Sequence, residues 1–127
     1  MSRTAARVRV LDPRGGLVGH VIEARTAWSR MIGLLAHASL PVGEGLLLAP
    51  AWSIHTWFMR FPIDVVFLDR ERRVLRVFPA LPPWRLVSGT RQAKTVLEFG
   101  AGTLERMPLA PGDIVGLERG DAATSSR

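Results

Sequence analysis

The chain of 127 residues contains no cysteine, which excludes disulfide scaffolds, thiolate zinc sites and cysteine nucleophiles. It also lacks any stretch near the ~18 uninterrupted apolar residues that a membrane-spanning helix needs. The N-terminus has no apolar run typical of a secretory signal. We therefore expect a soluble cytoplasmic protein without a membrane span, or an exported one if processing has removed a signal.

Hydrophobic residues make up 47% of the chain and charged residues 22%, which is ordinary globular composition and excludes a wholly disordered chain. This length is typical of one domain. We predict a single domain over residues 1–119. Residues 120–127 are small and polar, and we predict that they form a flexible tail.

The charge is strongly positive, with 17 basic residues, 11 acidic residues and a net charge of +6. Such a balance attracts acidic partners at low salt. Twelve of the 17 basic residues fall in three separate stretches, residues 1–25, 70–76 and 85–94, while residues 95–118 carry four carboxylates against one arginine. No RNA-binding motif accompanies them. Nucleic-acid binding therefore ranks behind binding of a small molecule or a protein.

The hydrophobic pattern predicts eight short strands with frequent turn signals between them. We place them at Arg7–Leu11, Leu17–Ala24, Leu46–Ala49, Ser53–Met59, Ile63–Leu68, Val74–Phe78, Thr95–Phe99 and Ile114–Leu117. Helical spacing of apolar residues predicts one short α-helix near residues 26–36, and residues 103–107 fit one helical turn. The predicted fold is mainly β (α+β), a single antiparallel β-sandwich or barrel-like domain.

Polar residues cluster within the apolar central segment, and they form the candidate ligand site: His55, Thr56, Trp57, Arg60 and Asp64. On a strand His55 and Trp57 share one face. Asp64 lies within an apolar run, where an unpaired carboxylate is costly and needs partners. A polar cluster beside aromatic rings suits a small-molecule or peptide pocket.

Each candidate also has a structural interpretation, in which His55 donates to a backbone carbonyl and Asp64 fixes a corner of the chain. A catalytic alternative is a hydrolase or transferase in which Asp64 orients the His55 ring, and it requires the two side chains to lie within ~3 Å or one bridging water. The histidines are scattered, with no paired spacing, so we expect no metal site. No phosphate-binding or dinucleotide-binding motif occurs, and we expect no cofactor.

Five segments together resemble the family of domains of unknown function numbered 192 (DUF192). They are Arg30–Leu35, Gly43–Leu48, Ile54–Asp64, Val96–Gly102 and Leu109–Asp113. The resemblance spans about residues 20–117, and it is specific because the segments match in both order and spacing.

The resemblance implies a β-rich single domain in a bacterial and archaeal family, and it implies no reaction. Many members carry an export signal or a lipid anchor, and we expect neither here from the N-terminal residues. Many also have cysteine at the position of Ala51, so any thiol chemistry that the family suggests is absent here. We expect a non-enzymatic ligand-binding or interaction module, as a monomer or a homodimer.

Overall fold

The computed structural model describes residues 7–23, 39–57 and 59–120. Within them lie nine strands and one short helix. In chain order these are β1 Arg7–Leu11, β2 Leu17–Glu23, β3 Glu44–Leu48, β4 Ser53–His55, β5 Ile63–Leu68, β6 Val74–Leu81, β7 Leu86–Ser88, β8 Thr95–Gly100, α1 Thr103–Arg106 and β9 Gly116–Gly120. The prediction of a mainly β protein is confirmed.

Seven strands form one sheet in the order β6-β5-β8-β3-β2-β1-β9, and β4 pairs with β7 in a separate two-stranded ribbon. Neighbouring strands are antiparallel except β2 and β3, which are parallel. A parallel pair needs a crossover of a dozen or more residues, and residues 24–43 between β2 and β3 provide it. The large sheet is therefore mixed, where the turn signals predicted a wholly antiparallel one.

The large sheet curls until its two edge strands approach each other at one end. There the Val74 N–H donates to the Asp113 carbonyl (2.7 Å), and the Val115 N–H donates to the Arg72 carbonyl (3.0 Å). The contact is a single bridge between Arg73 and Ile114, so the described strands form no closed barrel.

The concave face of the curled sheet holds one apolar core, called here the inner core. Its members include Val8, Val10, Val21, Leu47, Val66, Val74, Leu97 and Phe99. The convex face holds a second core, called here the outer core, which the β4–β7 ribbon covers. Its members include Leu46, Ile54, Ile63, Val65, Phe67 and Val96. Because both faces of β5 are covered, all six of its residues are buried, which explains its continuous apolar sequence.

Most predicted strands are present, and the differences have local causes. The predicted strand Ser53–Met59 ends at His55, because the Thr56 carbonyl accepts hydrogen bonds from the Met59 and Trp84 N–H groups and the chain turns. Strand β7 was not predicted, since it has three residues and follows two prolines. The last strand begins two residues later than predicted. The predicted helix near residues 26–36 lies outside the described residues.

Two glycines of the matched segments are required by close backbone contacts. A Cβ atom at Gly45 would overlap the Glu98 carbonyl on the neighbouring strand. A Cβ atom at Gly100 would overlap the carbonyls of Leu40 and Pro41. These glycines therefore serve packing of the sheet.

Candidate functional site

Asp64 is 1% exposed, and backbone groups satisfy its carboxylate. Its Oδ1 accepts the Ala80 N–H (2.7 Å), and its Oδ2 accepts the Leu104 N–H (2.8 Å). The first bond holds a β-bulge, because the register between β5 and β6 shifts at this point and Ala80 adopts a left-handed φ of 50°. The second satisfies an N–H in the first turn of α1, where Gly102 provides no side-chain cap. Asp64 therefore stabilises the fold at the bulge of β6 and at the start of α1.

The sheet separates Asp64 from the ribbon. Asp64 is paired in register with Phe99, which belongs to the inner core, and its carboxylate reaches α1 on the same face. The ribbon packs on the opposite face, where Ile54 contacts the outer core with Val65. The structure does not bring Asp64 and His55 together. The hydrolase or transferase interpretation therefore lacks the geometry that it requires.

A cavity of about 390 Å³ lies beside Asp64 on the concave side, and α1 and the bulge of β6 line it. Both Asp64 oxygens already accept hydrogen bonds from backbone N–H groups. The carboxylate therefore has a structural role, because it holds the bulge of β6 and the start of α1 in place.

Thr56 is fully buried and fastens the ribbon to the loop that precedes β7. Its Oγ1 donates to the Pro82 carbonyl (2.7 Å) and accepts the Arg85 N–H (2.8 Å). Its own N–H donates to the Arg85 carbonyl (2.8 Å). Backbone groups satisfy the hydrogen-bonding capacity of the hydroxyl, so Thr56 positions the ribbon instead of contacting solvent.

The remaining aromatic candidates lie on the solvent-facing side of the ribbon. The rings of His55 and Trp57 stack with centroids 4.7 Å apart and an interplanar angle of 27°. Leu86 is paired with His55 across the ribbon and is 67% exposed. Trp84 is 58% exposed and Trp57 is 46% exposed. The backbone N–H of Trp84 donates to the Thr56 carbonyl, which precedes Trp57 in the chain. We call His55, Trp57, Trp84 and Leu86 the ribbon surface.

Basic side chains without carboxylate partners lie along the ribbon, with Arg85 between Trp84 and Leu86 of the ribbon surface and with Arg91 and Lys94 at the opposite end. The residues 49–63 and 79–97 contain basic side chains but no Asp or Glu. The exposed cations of these segments and of neighbouring β6 are Arg60, Arg76, Arg85, Arg91 and Lys94. Arg76 reaches the ribbon directly, since its Nη1 donates to the Ser88 carbonyl (2.9 Å). Among the described residues, the three ion pairs all lie elsewhere, at Arg9–Glu118, Arg73–Asp69 and Arg119–Glu23.

Glu98 is a buried carboxyl group that the sequence analysis did not single out as a candidate. It is 4% exposed and is paired in register with Leu46 and Val65, both in the outer core. Desolvation by burial raises its pKa from 4.5 to about 7. The available signal was a lone carboxylate in the apolar strand Thr95–Phe99, the same signal that drew attention to Asp64.

The part of the chain that the structure describes contains no cluster of three or more His, Asp or Glu side chains able to hold a metal ion. The same residues include no helix long and apolar enough to cross a membrane. Of the three histidines, His20 lies half-buried on β2 and His37 falls outside the described ranges.

A family model, DUF192, described as an uncharacterised ACR, matches residues 11–117. A protein of Thermococcus gammatolerans called a UPF0127 protein is 35% identical over 105 residues, which are 76% of this chain and 65% of that protein. A UPF0127 protein of Pyrococcus abyssi is 40% identical over 63 residues, which are 50% of this chain and 53% of that protein. The matched segments span 40% to 65% of the length of such curated relatives.

Two solved structures share the fold. One is a candidate transcription regulator from Sinorhizobium meliloti, with a TM-score of 0.72 and 20% identity, covering 92% of this chain and 98% of that one. The other is a protein of unknown function from Novosphingobium aromaticivorans, with a TM-score of 0.66 and 24% identity, covering 87% of this chain and 83% of that one. At these identities the likeness concerns the fold alone.

Proposed function

This chain belongs to the DUF192 family, whose description assigns no activity, and we therefore propose a function from the site geometry: a non-enzymatic binding module that recognises its partner through the ribbon surface. Of the five residues predicted for the site, His55, Trp57 and Arg60 remain in this proposal. Thr56 and Asp64 support it only indirectly, because backbone groups occupy their oxygens.

One observation carries the proposal, the exposed aromatic rings of the ribbon surface amid unpaired cations. Trp57 and Trp84 each leave about half of their surface in water, although a buried tryptophan is among the most stabilising groups in a core. Tryptophan and arginine are also the residues that contribute most at binding interfaces. The combination supports a surface that gains stability when a partner covers it.

The excess of unpaired cations around the ribbon favours an anionic partner. The cations around the ribbon have no carboxylate ion-pair partner among the described residues, so a positive potential remains there. Aromatic rings for stacking and cations for phosphates are the pattern of proteins that bind single-stranded nucleic acid. The partner class that fits best is a single-stranded nucleic acid, a class that the dispersed basic residues of the sequence did not favour on their own. An acidic peptide is the competing class, since it satisfies the cations but lacks bases to stack.

The test is fluorescence anisotropy of a labelled oligonucleotide of twelve thymidines, titrated with the full chain at several salt concentrations. We expect Trp57→Ala and Trp84→Ala each to weaken binding about fivefold or more, since stacking contributes about 1–3 kcal/mol per base. Arg85→Gln should lower the slope of log affinity against log salt by about 0.7, the value for one phosphate contact on a single strand.

The matched control is Arg14→Gln, which removes an exposed cation from the β1–β2 turn and should lower affinity least. Poly-glutamate of similar charge is the competitor. Equal affinity for both polymers, unaffected by the tryptophan variants, would assign the surface to acidic chains. No binding of either polymer at low salt would refute recognition of an anionic partner.

A further inference from the structure

A second cavity lies at the opposite end of the ribbon from Trp57 and Trp84. It is open, has a volume of about 360 Å³, and is lined by Trp52, Gly89, Thr90, Arg91, Ala93 and Lys94. We call it the loop pocket. None of its lining residues belongs to the ribbon surface, so it is a separate candidate site.

Backbone hydrogen bonds hold both walls of the loop pocket in place. The two walls are the segment before β4, which carries Trp52, and the segment after β7, which begins at Gly89. The Gly89 N–H donates to the Trp52 carbonyl (2.8 Å) and joins them. The Lys94 N–H donates to the Leu68 carbonyl at the end of β5 (2.8 Å), and the Ala51 N–H donates to the Lys94 carbonyl (2.9 Å). The lining side chains therefore project from a backbone that is already ordered, which lowers the entropic cost of binding.

The polar side of the loop pocket suits a phosphate. Arg91 and Lys94 are exposed, and no carboxylate of the described residues forms an ion pair with either. Arg91 lies in a turn that is closed by a hydrogen bond from the Ala93 N–H to the Thr90 carbonyl (3.0 Å), and Lys94 follows this turn. No hydrogen bond of the described residues engages the N–H groups of Thr90 and Arg91. Two cations with free backbone donors form charge-assisted hydrogen bonds to phosphate oxygens.

The apolar side of the loop pocket is the indole of Trp52, which is 64% exposed. An exposed indole offers a flat face on which a planar ring can stack, with gains from burial and from aromatic contact. The volume lies near the lower end of the range of about 300–1,000 Å³ for small-molecule sites, which suits a ligand of nucleotide size.

We propose that the loop pocket binds a phosphate monoester carried on a planar ring system, with the phosphate at Arg91 and Lys94 and the ring on Trp52. This is the chemistry of a nucleoside monophosphate, which is present both as a free nucleotide and as the 5′ end of a nucleic-acid strand. The proposal stands without the ribbon surface, because none of the four residues of that surface lines the loop pocket.

The first experiment is isothermal titration calorimetry of the full chain with adenosine monophosphate, adenosine and inorganic phosphate. Adenosine monophosphate should bind more tightly than either of its parts. Arg91→Gln and Lys94→Gln should each weaken its binding about tenfold. Trp52→Ala should weaken binding of the nucleotide and leave that of inorganic phosphate unchanged. Arg14→Gln is the charge-matched control and should bind as the unaltered protein does.

The second experiment compares the twelve-thymidine strand with and without a 5′-phosphate. A gain in affinity on phosphorylation that disappears in Arg91→Gln identifies the strand end as the source of the monoester. Binding of free adenosine monophosphate without that gain identifies the free nucleotide. The proposal is overturned if neither effect occurs, or if inorganic phosphate equals the nucleotide and Trp52→Ala changes nothing. Loss of strand binding in Trp84→Ala alone concerns the ribbon surface and leaves this result intact.

Discussion

Glu98 should make the stability of the protein decrease as pH rises from acid to neutral. Its pKa is about 7 in the folded protein, and 4.5 is the ordinary value that it has in the unfolded chain. Between these values the folded state keeps the proton while the unfolded state has lost it. The unfolded state binds fewer protons there, so the free energy of unfolding falls with pH.

The size of the effect follows from the difference between the two pKa values. One pKa unit corresponds to about 1.36 kcal/mol, so the shift from 4.5 to about 7 corresponds to roughly 3 kcal/mol. The free energy of unfolding is highest below pH 4.5, where the carboxyl is protonated in both states. This stability is lost as pH rises through the folded pKa of about 7. For a protein of this size, a loss of that order lowers the melting temperature by about 10 °C.

The assay is urea unfolding of the full chain and of Glu98→Gln at pH 5 and pH 8. The glutamine is uncharged at both values and has nearly the same shape. We expect the variant to be more stable by about 1 kcal/mol at pH 5, where the unfolded carboxyl is already mostly ionised, and by roughly 3 kcal/mol at pH 8. Subtracting the variant from the unaltered protein cancels the titration of the other groups.

Glu105→Gln is the matched control, since Glu105 is an exposed carboxylate on α1. It should leave the pH dependence unchanged. The same stability difference between pH 5 and pH 8 in the unaltered protein and in Glu98→Gln would contradict the raised pKa, because the carboxyl would then titrate alike in the folded and unfolded states.

Three further substitutions test the structural assignments by chemical denaturation. Asp64→Ala leaves the Ala80 and Leu104 N–H groups without their acceptors and should cost about 2–5 kcal/mol, with a smaller loss for Asp64→Asn; a loss below 1 kcal/mol would contradict the bulge assignment. Thr56→Val removes the bonds that fasten the loop before β7 and should cost about 1–3 kcal/mol. Gly45→Ala should prevent stable folding, because its Cβ would overlap the neighbouring backbone; normal stability would exclude that strand pairing.

Strands with a strong local pattern could be predicted from the sequence. Alternation identified β1, and a continuous apolar run identified β5 with the observed bounds. Strand β7 could not be predicted, because its three residues are defined by pairing with β4 and by the Thr56 hydrogen bonds rather than by their own pattern. The parallel pairing of β2 with β3 is likewise a property of two distant segments.

The candidate site was predicted in part. The sequence indicated that the Asp64 carboxylate needs partners, but not that these are N–H groups of a bulge and a helix start on the concave side. It placed His55 and Trp57 on one face, and their rings do stack. It could not show that Leu86 and Trp84 extend this surface, since both come from the other strand of the ribbon and the loop before it.

Composition and local order are enough to establish the mainly β fold, the exclusion of thiol chemistry, the charge of +6 and the presence of two carboxylates inside apolar strands. Which residues share a surface depends on the tertiary structure. Pairing of β4 with β7 brings together basic segments that are far apart along the chain, and alternation of side chains along β5 places Asp64 on the face opposite the one that the ribbon covers. Hydrophobic periodicity reflects only a few neighbouring residues, whereas the face that a side chain occupies, the charges beside it and its exposure to water depend on strands distant in sequence.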